Sequence, residues 1–221
     1  NNQLNITFAQ NNSLDETIAK KIASDLKHDW LFKALDNGNC LKNIDDVAIL
    51  SGGNVVSYGL SVQMSMYNHM AFDKTGMLHT GQLGDVVISS YSNSKVQIPY
   101  SKNDGAYSSV LMDEMNNLKF KGEYLNQEIF MMYIRGLYGM NQGLAPVQNF
   151  TEAYSPFYDI DFINFALSVP LKFRANHNLY KKWILKKYPL AANYKWDKIN
   201  TKIDNKFKFN IGKREIYIKT N

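Results

Sequence analysis

Apolar and polar side chains alternate from Leu4 to Phe8, the period of a half-exposed strand. The period then changes. Ile18, Ile22 and Leu26 recur every fourth residue with Ala19 and Ala23 beside them, so one apolar stripe runs along a helix predicted over residues 13–27, with all three large residues buried. Ser13 stands at the cap and Glu16 completes Ser-x-x-Glu, a pair that satisfies backbone N–H groups left open by the first turn. His28, just past the stripe, is expected to stabilise the helix end rather than to act chemically. A strand followed by a helix with one apolar face is the repeating unit of a layered α/β domain.

Further along, Tyr58 to Met70 is rich in methionine, which at helical spacing fills gaps in a core. Residues 92–121 are polar and irregular, with a turn at Asn103-Asp104-Gly105. Gly122 to Tyr138 carries Tyr124, Ile129, Phe130, Met132, Tyr133 and Leu137, enough apolar surface for a buried helix, and Asn141 to Ala153 is predicted to be a loop. Asp159 is placed to cap a short helix whose Phe162, Ile163, Ala166 and Leu167 face the core, and Pro170 stops it. Another helix is predicted over residues 178–188, and the alternation in Lys206 to Phe209 and Ile216 to Lys219 predicts a final hairpin or strand.

Composition narrows the classes. The length of 221 residues, 45% of them hydrophobic, suffices for one domain with a sizeable core, read as residues 1–194 plus a basic tail over 195–221. The formal charge of +5 is confined to that tail, which holds eight Lys or Arg against three acids. A solvated chain end accounts for it better than a nucleic-acid surface does. The single cysteine, Cys40, excludes an internal disulfide framework and points to the cytoplasm. No run reaches the roughly 18 apolar residues of a membrane span. His69 and His79 lack a second ligand type nearby and are not read as metal ligands.

The stretch with the most chemistry runs from Leu78 to Tyr91. Gly81 and Gly84 are three apart, Asp85 follows the second, and an apolar run follows Asp85: a chain that leaves a strand, bends its backbone close to an anion and starts a helix. Gly81-Gln82-Leu83-Gly84-Asp85-Val86 resembles the Gly-(Asp/Glu)-Gly-(Gly/Ser)-Asp-Glu motif of the asparagine synthase family. Three further blocks follow the family's order. Glu152-Ala153-Tyr154-Ser155-Pro156-Phe157-Tyr158-Asp159 is similar to its Glu-x-Arg-x-Pro-Phe-Leu-Asp, with Phe162 to Pro170 as the helix beyond it, and Lys182-Trp183-Ile184-Leu185-Lys186 to its Lys-x-x-Leu-Arg. Ile6-Thr7-Phe8 through Ala23 is similar to the segment that follows the family's nucleotide loop.

The resemblance implies a helix-rich α/β fold: the remnant of a parallel-sheet adenine nucleotide α-hydrolase-like domain, followed by a mostly helical C-terminal part. It implies an ATP-dependent, glutamine-dependent amidotransferase that adenylates a small-molecule carboxylate and gives an amide with glutamine-derived ammonia. Nucleic acid and membrane are not expected as partners, and the resemblance leaves room for a homo-oligomer. Carried over by position, Asp85 is the magnesium-binding carboxylate, Gly81 and Gly84 are the nucleotide-contacting glycines, Lys182 is the cation on phosphate or the tetrahedral intermediate, and Gln82 takes the place of a catalytic acid. An amide cannot accept a proton usefully at neutral pH. Val86, Tyr154 and Lys186 stand where the family has Glu, Arg and Arg. The family's Ser-Gly-Gly-x-Asp-Ser loop is expected upstream of Asn1. Ser51-Gly52-Gly53 lacks the carboxylate and falls out of order, and is read as a turn capping a helix rather than as a nucleotide loop that follows a strand. ATP and magnesium are therefore expected for a longer protein, with no tight binding and no turnover by these residues alone. A degenerate pseudo-enzyme serving as a binding or scaffold module is the alternative.

Overall fold

The computed structural model describes residues 3–35, 37–89, 91, 94–106, 108–119, 122–204, 208–211 and 214–217. The chain divides into two compact units. The first combines Asn1–Asn43, Ser61–His69 and Lys181–Asn221; the second combines Ile44–Leu60 and Met70–Tyr180. Among the described residues the fold is helix-rich with small two-stranded sheets, two parallel and two antiparallel.

The first unit opens with a β-α-β unit. Strand β1 (Leu4–Ala9) leads into helix α1 (Leu14–Leu26), and the chain returns as β2 (Asp29–Ala34), parallel to β1 with Leu4 opposite Asp29 and Ala9 opposite Ala34. The cap is as the sequence predicts: Glu16 N–H donates to Ser13 Oγ at 3.2 Å, and the Glu16 carboxylate accepts from Asn12 N–H. At the other end Lys27 turns left-handed at φ 55°, and its N–H and that of His28 close onto the carbonyls of Ser24 and Ala23. The backbone of His28 therefore finishes the helix, while its ring accepts from Asn5 Nδ2 at 3.3 Å. Burial differs from expectation. Ala23 is the buried residue of α1, Ile18 and Ile22 are half-buried, and Leu26 is 52% exposed. A two-stranded sheet is too narrow to cover a full apolar stripe. The return strand β2 carries no clean alternation over Asp29 to Ala34 that would mark it in the sequence; Trp30 and Phe32 on it stack at 5.4 Å.

Helix α2 (Ile44–Leu50) and helix α3 (Ser57–Tyr67) follow. Met64 and Met66 are buried, filling core as the sequence suggested, and His69 Nδ1 donates to the Ser65 carbonyl at 2.8 Å. Strand β3 (Leu78–His79), helices α4 (Gly84–Ile88) and α5 (Met112–Asn117), and helix α6 (Gln127–Met131) lie in the second unit. The predicted turn at Asn103 is a 3-10 turn over Lys102–Gly105, closed by a Ser101/Asp104 capping box. The predicted helix from Gly122 begins at Gln127, where Asn126 caps it, and passes directly into a π-helical segment, Met132–Leu137.

Asn141 to Ala153 is not a plain loop. It holds a 3-10 turn over Met140–Leu144, helix α7 (Ala145–Gln148) started by Pro146, and the beginning of strand β4 (Ala153–Tyr154). Asp159 caps α8 (Ile160–Ser168) as expected, with Phe162 N–H donating to its carboxylate at 2.8 Å, and Pro170 both ends α8 and starts α9 (Leu171–Arg174). Helix α10 (Asn178–Lys187) precedes the short antiparallel pair β5 (Lys195–Trp196) and β6 (Thr201–Lys202). The final hairpin is present as β7 (Lys208–Ile211) and β8 (Arg214–Tyr217); the rest of its predicted span, Lys206, Phe207, Ile218 and Lys219, lies outside the described residues. No helix among the described residues is long and apolar enough to cross a membrane.

Candidate functional site

Strand β3 pairs with β4 in parallel, Leu78 opposite Ala153 and His79 opposite Tyr154, and the chain leaves β3 into the turn Gly81 to Gly84, where Gly84 N–H donates to Gly81 O at 3.0 Å. The left-handed residue in this turn is Leu83, at φ 62°, and neither glycine has positive φ. A left-handed non-glycine residue costs about 1–2 kcal/mol. Leu83 is 3% exposed, in one cluster with Val86, Val87, Met132 and Ala166, and burying a leucine contributes about 1.5–3 kcal/mol, enough to hold it there.

Gly84 is needed for space. A Cβ placed on it would lie 2.5 Å from the Phe157 ring, so the ring packs directly against bare backbone. Ser155, fully buried, donates from Oγ to the Gln82 carbonyl at 2.8 Å. The glycine-bearing stretch and the Ser-Pro-Phe stretch, some seventy residues apart, thus form one structural piece. Gly81, by contrast, has nothing within 4 Å of a would-be Cβ and is exposed.

Gln82 turns its side chain away from any proton-transfer role: Nε2 donates to the Met140 carbonyl at 2.6 Å. The segment that supplies Met140 also frames Tyr91. Tyr91 OH donates to the Met140 sulfur at 3.4 Å, and the Arg135 guanidinium lies 5.5 Å from the Tyr91 ring centroid. Beneath the loop, the Tyr158 hydroxyl is buried without a hydrogen-bond partner among the described residues, and burial, with Tyr91 as the lesser cause, pushes it up to about 12.

No protein-family model matches the chain, and no curated protein does. Its chemistry rests on its own residues.

Asp85 is exposed in the first turn of α4. Among the described residues no three His, Cys, Asp or Glu side chains gather as a metal site. A lone exposed carboxylate still suits magnesium carried in by phosphate, because that ion keeps most of its waters and takes only one or two protein carboxylates. Lys182 is exposed on α10, in the first unit, with Lys181 beside it over the Trp196 ring at 5.3 Å. Ser51-Gly52-Gly53 follows helix α2 and not a strand. Gly53 N–H donates to Ala48 O and Gly52 N–H to Ile49 O, with both glycines left-handed, which is the pattern that closes a helix C-terminus. It is the capping turn that the missing carboxylate had favoured.

The feature missed in the sequence is the most deeply buried one. Arg174 and Glu128 are 0% and 1% exposed and pair through both terminal guanidinium nitrogens, Nη1 to Oε1 at 2.6 Å and Nη2 to Oε2 at 2.9 Å. Arg174 Nε donates to Val169 O at 2.9 Å and Nη1 also to Ser89 O at 3.1 Å, while Gln97 Nε2 donates to Glu128 at 2.8 Å. Such a pair is tolerated in a core only when its remaining polar atoms are also satisfied, as here. Glu128 sits inside a stretch that reads as apolar and Arg174 beside a basic Lys172, so no spacing rule links them across 46 residues.

Proposed function

We propose that this chain is the synthetase portion of an asparagine synthase-like, glutamine-dependent amidotransferase, in which ATP activates a small-molecule carboxylate by adenylation. The observation that carries the reading is the union of the two blocks: β3 parallel to β4, Ser155 donating to the Gln82 carbonyl, and Phe157 packed on Gly84. Each block on its own resembles the same family, and sequence proximity does not require them to meet. The shared piece is a remnant of an adenine nucleotide α-hydrolase-like core, with Asp85 at its exposed corner.

In this reading Asp85 would hold magnesium to offset charge on the departing pyrophosphate, and the resemblance alone gives Lys182 its role as a cation on phosphate or the tetrahedral intermediate. Gly81 leaves the turn open to ligand, and Gly84 lets Phe157 seat it. Gln82 contributes a fixed backbone rather than a base. The chain carries no Ser-Gly-Gly-x-Asp-Ser, so these residues alone neither bind ATP tightly nor turn over. A lone buried thiol at Cys40 fits a reducing cytoplasm.

A second reading, a pseudo-enzyme used as a binding module, is favoured by one observation: the side chain in the catalytic acid's place is an amide tied to a carbonyl. Pyrophosphate release separates the two. The product of the whole gene, given Mg-ATP, glutamine and a panel of carboxylic acids, is expected to release pyrophosphate, and Asp85→Asn and Lys182→Ala should each slow it by about a hundredfold or more. Binding of Mg-ATP without pyrophosphate release selects the pseudo-enzyme. Unchanged rates in both variants overturn the site assignment.

A further inference from the structure

We propose that Arg174 and Glu128 are positioning residues that hold α4, and with it the Gly81–Asp85 turn, in place. Helix α4 is only five residues long, too short to be stable by its own hydrogen bonds. Its orientation therefore comes from what grips its two ends. At the N-terminal end the grip is the Ser155 and Gln82 hydrogen bonds and the Phe157 ring on Gly84.

At the C-terminal end the grip is Ser89, which caps α4 and is itself buried. The Ser89 carbonyl accepts from Arg174 Nη1 at 3.1 Å; its hydroxyl donates to the Arg174 carbonyl at 3.2 Å and accepts from His177 N–H at 3.2 Å. One residue is thus held through both its backbone and its side chain by the α9 end. The Arg174 side chain is fixed in turn by Glu128 from α6 and by the Val169 carbonyl. Glu128 is steadied by Gln97. The chain of contacts runs from α6 through Arg174 to the C-cap of the helix whose first turn bears Asp85.

The pair does something that apolar residues of the same volume would not do. Methionines at both positions would fill the core, and such replacements commonly leave stability intact, but they would leave the Ser89 carbonyl without its donor.

The test is amide hydrogen exchange on the intact chain, comparing wild type, the double variant Glu128→Met with Arg174→Met, and Ser89→Ala. The proposal expects the exchange of the Val87, Ile88 and Ser89 amides to accelerate about tenfold in the double variant, with the amides of Ser51 and Thr151 in the same unit unchanged. Ser89→Ala, which keeps the ion pair and removes only the hydroxyl, should accelerate the same amides by a smaller factor. Arg174→Lys, which keeps a cation against Glu128 but loses the second donor that reaches the Ser89 carbonyl, decides the matter if the double variant does not fold. Uniform acceleration across the second unit, or no change over residues 87–89 in any variant that folds, overturns the positioning role. A ligand arm rests on the proposed function: if the wild type binds magnesium pyrophosphate, the double variant should bind it at least several-fold more weakly. Weak or absent binding by the wild type is what the proposed function expects of these residues alone, and the exchange result decides the positioning role either way.

Discussion

Helices α1 and α4 reach ordered structure by opposite routes. Helix α1 carries its own instructions: Ser13 and Glu16 close its first turn, Lys27 and His28 its last, and every partner lies within a few residues. Helix α4 has no side-chain cap, begins at a strained Leu83, and is held by Ser155, Arg174 and His177, more than seventy residues away. The difference is one of energetic source. Local hydrogen bonds support both ends of α1, whereas both ends of α4 depend on contacts supplied by distant parts of the second unit.

The largest effect should come from unpairing the buried ions. Arg174→Ala or Glu128→Ala leaves an uncompensated charge at a site 0–1% exposed and should destabilise the second unit by about 3–5 kcal/mol, read by urea unfolding. The double methionine variant should lie far closer to wild type. If the single and double variants lose the same amount, packing and not charge pairing is what the site supplies.

Next come the two glycines, which the sequence presents as equals. Gly84→Ala drives a methyl group into Phe157 and should cost about 1–3 kcal/mol, while Gly81→Ala, with open space and an ordinary φ, should change stability by less than about 0.5 kcal/mol. Equal losses would mean that Phe157 yields freely and that the tight fit at Gly84 is not structural.

What the sequence disclosed follows the same division. The strand at Leu4, the capped helix after it, the Asp159 cap, the stop at Pro170 and the final hairpin are all encoded by neighbours, and all are present. The turn at Gly81 to Asp85 and the Ser-Pro-Phe block could be found as motifs, but their pairing could not, since parallel strands two residues long carry no period to read. The reason for Gly84 was hidden for a related cause: its partner is a ring 73 positions on, and φ is not involved. Leu26 is exposed against expectation because a helical stripe predicts which face turns inward and not whether enough sheet lies beneath to cover it.

Within the first unit, Ser13→Ala should cost about 1 kcal/mol, the ordinary value of an N-cap, and should raise amide exchange only in the first turn of α1. A loss as large as that at Arg174 would mean that α1, too, depends on distant partners. In the second unit Tyr158→Phe removes a buried hydroxyl that has no hydrogen-bond partner among the described residues, so it should be neutral or stabilise by up to about 1 kcal/mol.

The smallest effect is best seen in its pH dependence. Tyr194 OH donates to Asp25 Oδ2 at 2.8 Å, and Lys21 Nζ lies 3.0 Å from the same carboxylate. The Tyr194 hydrogen bond, then that from Lys21, hold Asp25 below its ordinary value of 3.8, and the same bond raises Tyr194 above its ordinary 10.0. Because the folded state prefers ionised Asp25, its contribution is fully present above the unfolded value and is lost as pH falls through the lower folded one. Because the folded state prefers neutral Tyr194, its contribution is present below the unfolded value and is lost as pH rises through the higher folded one. Tyr194→Phe removes the bond and so should lower stability slightly across neutral pH, with the difference from wild type shrinking at both extremes, below about pH 4 and above about pH 10. A difference that persists unchanged at both ends would assign the effect to ring packing and not to the hydrogen bond. Asp25 lies at the C-terminal end of α1, and Tyr194 is the one distant partner that this otherwise self-sufficient helix engages by a side-chain hydrogen bond among those described above.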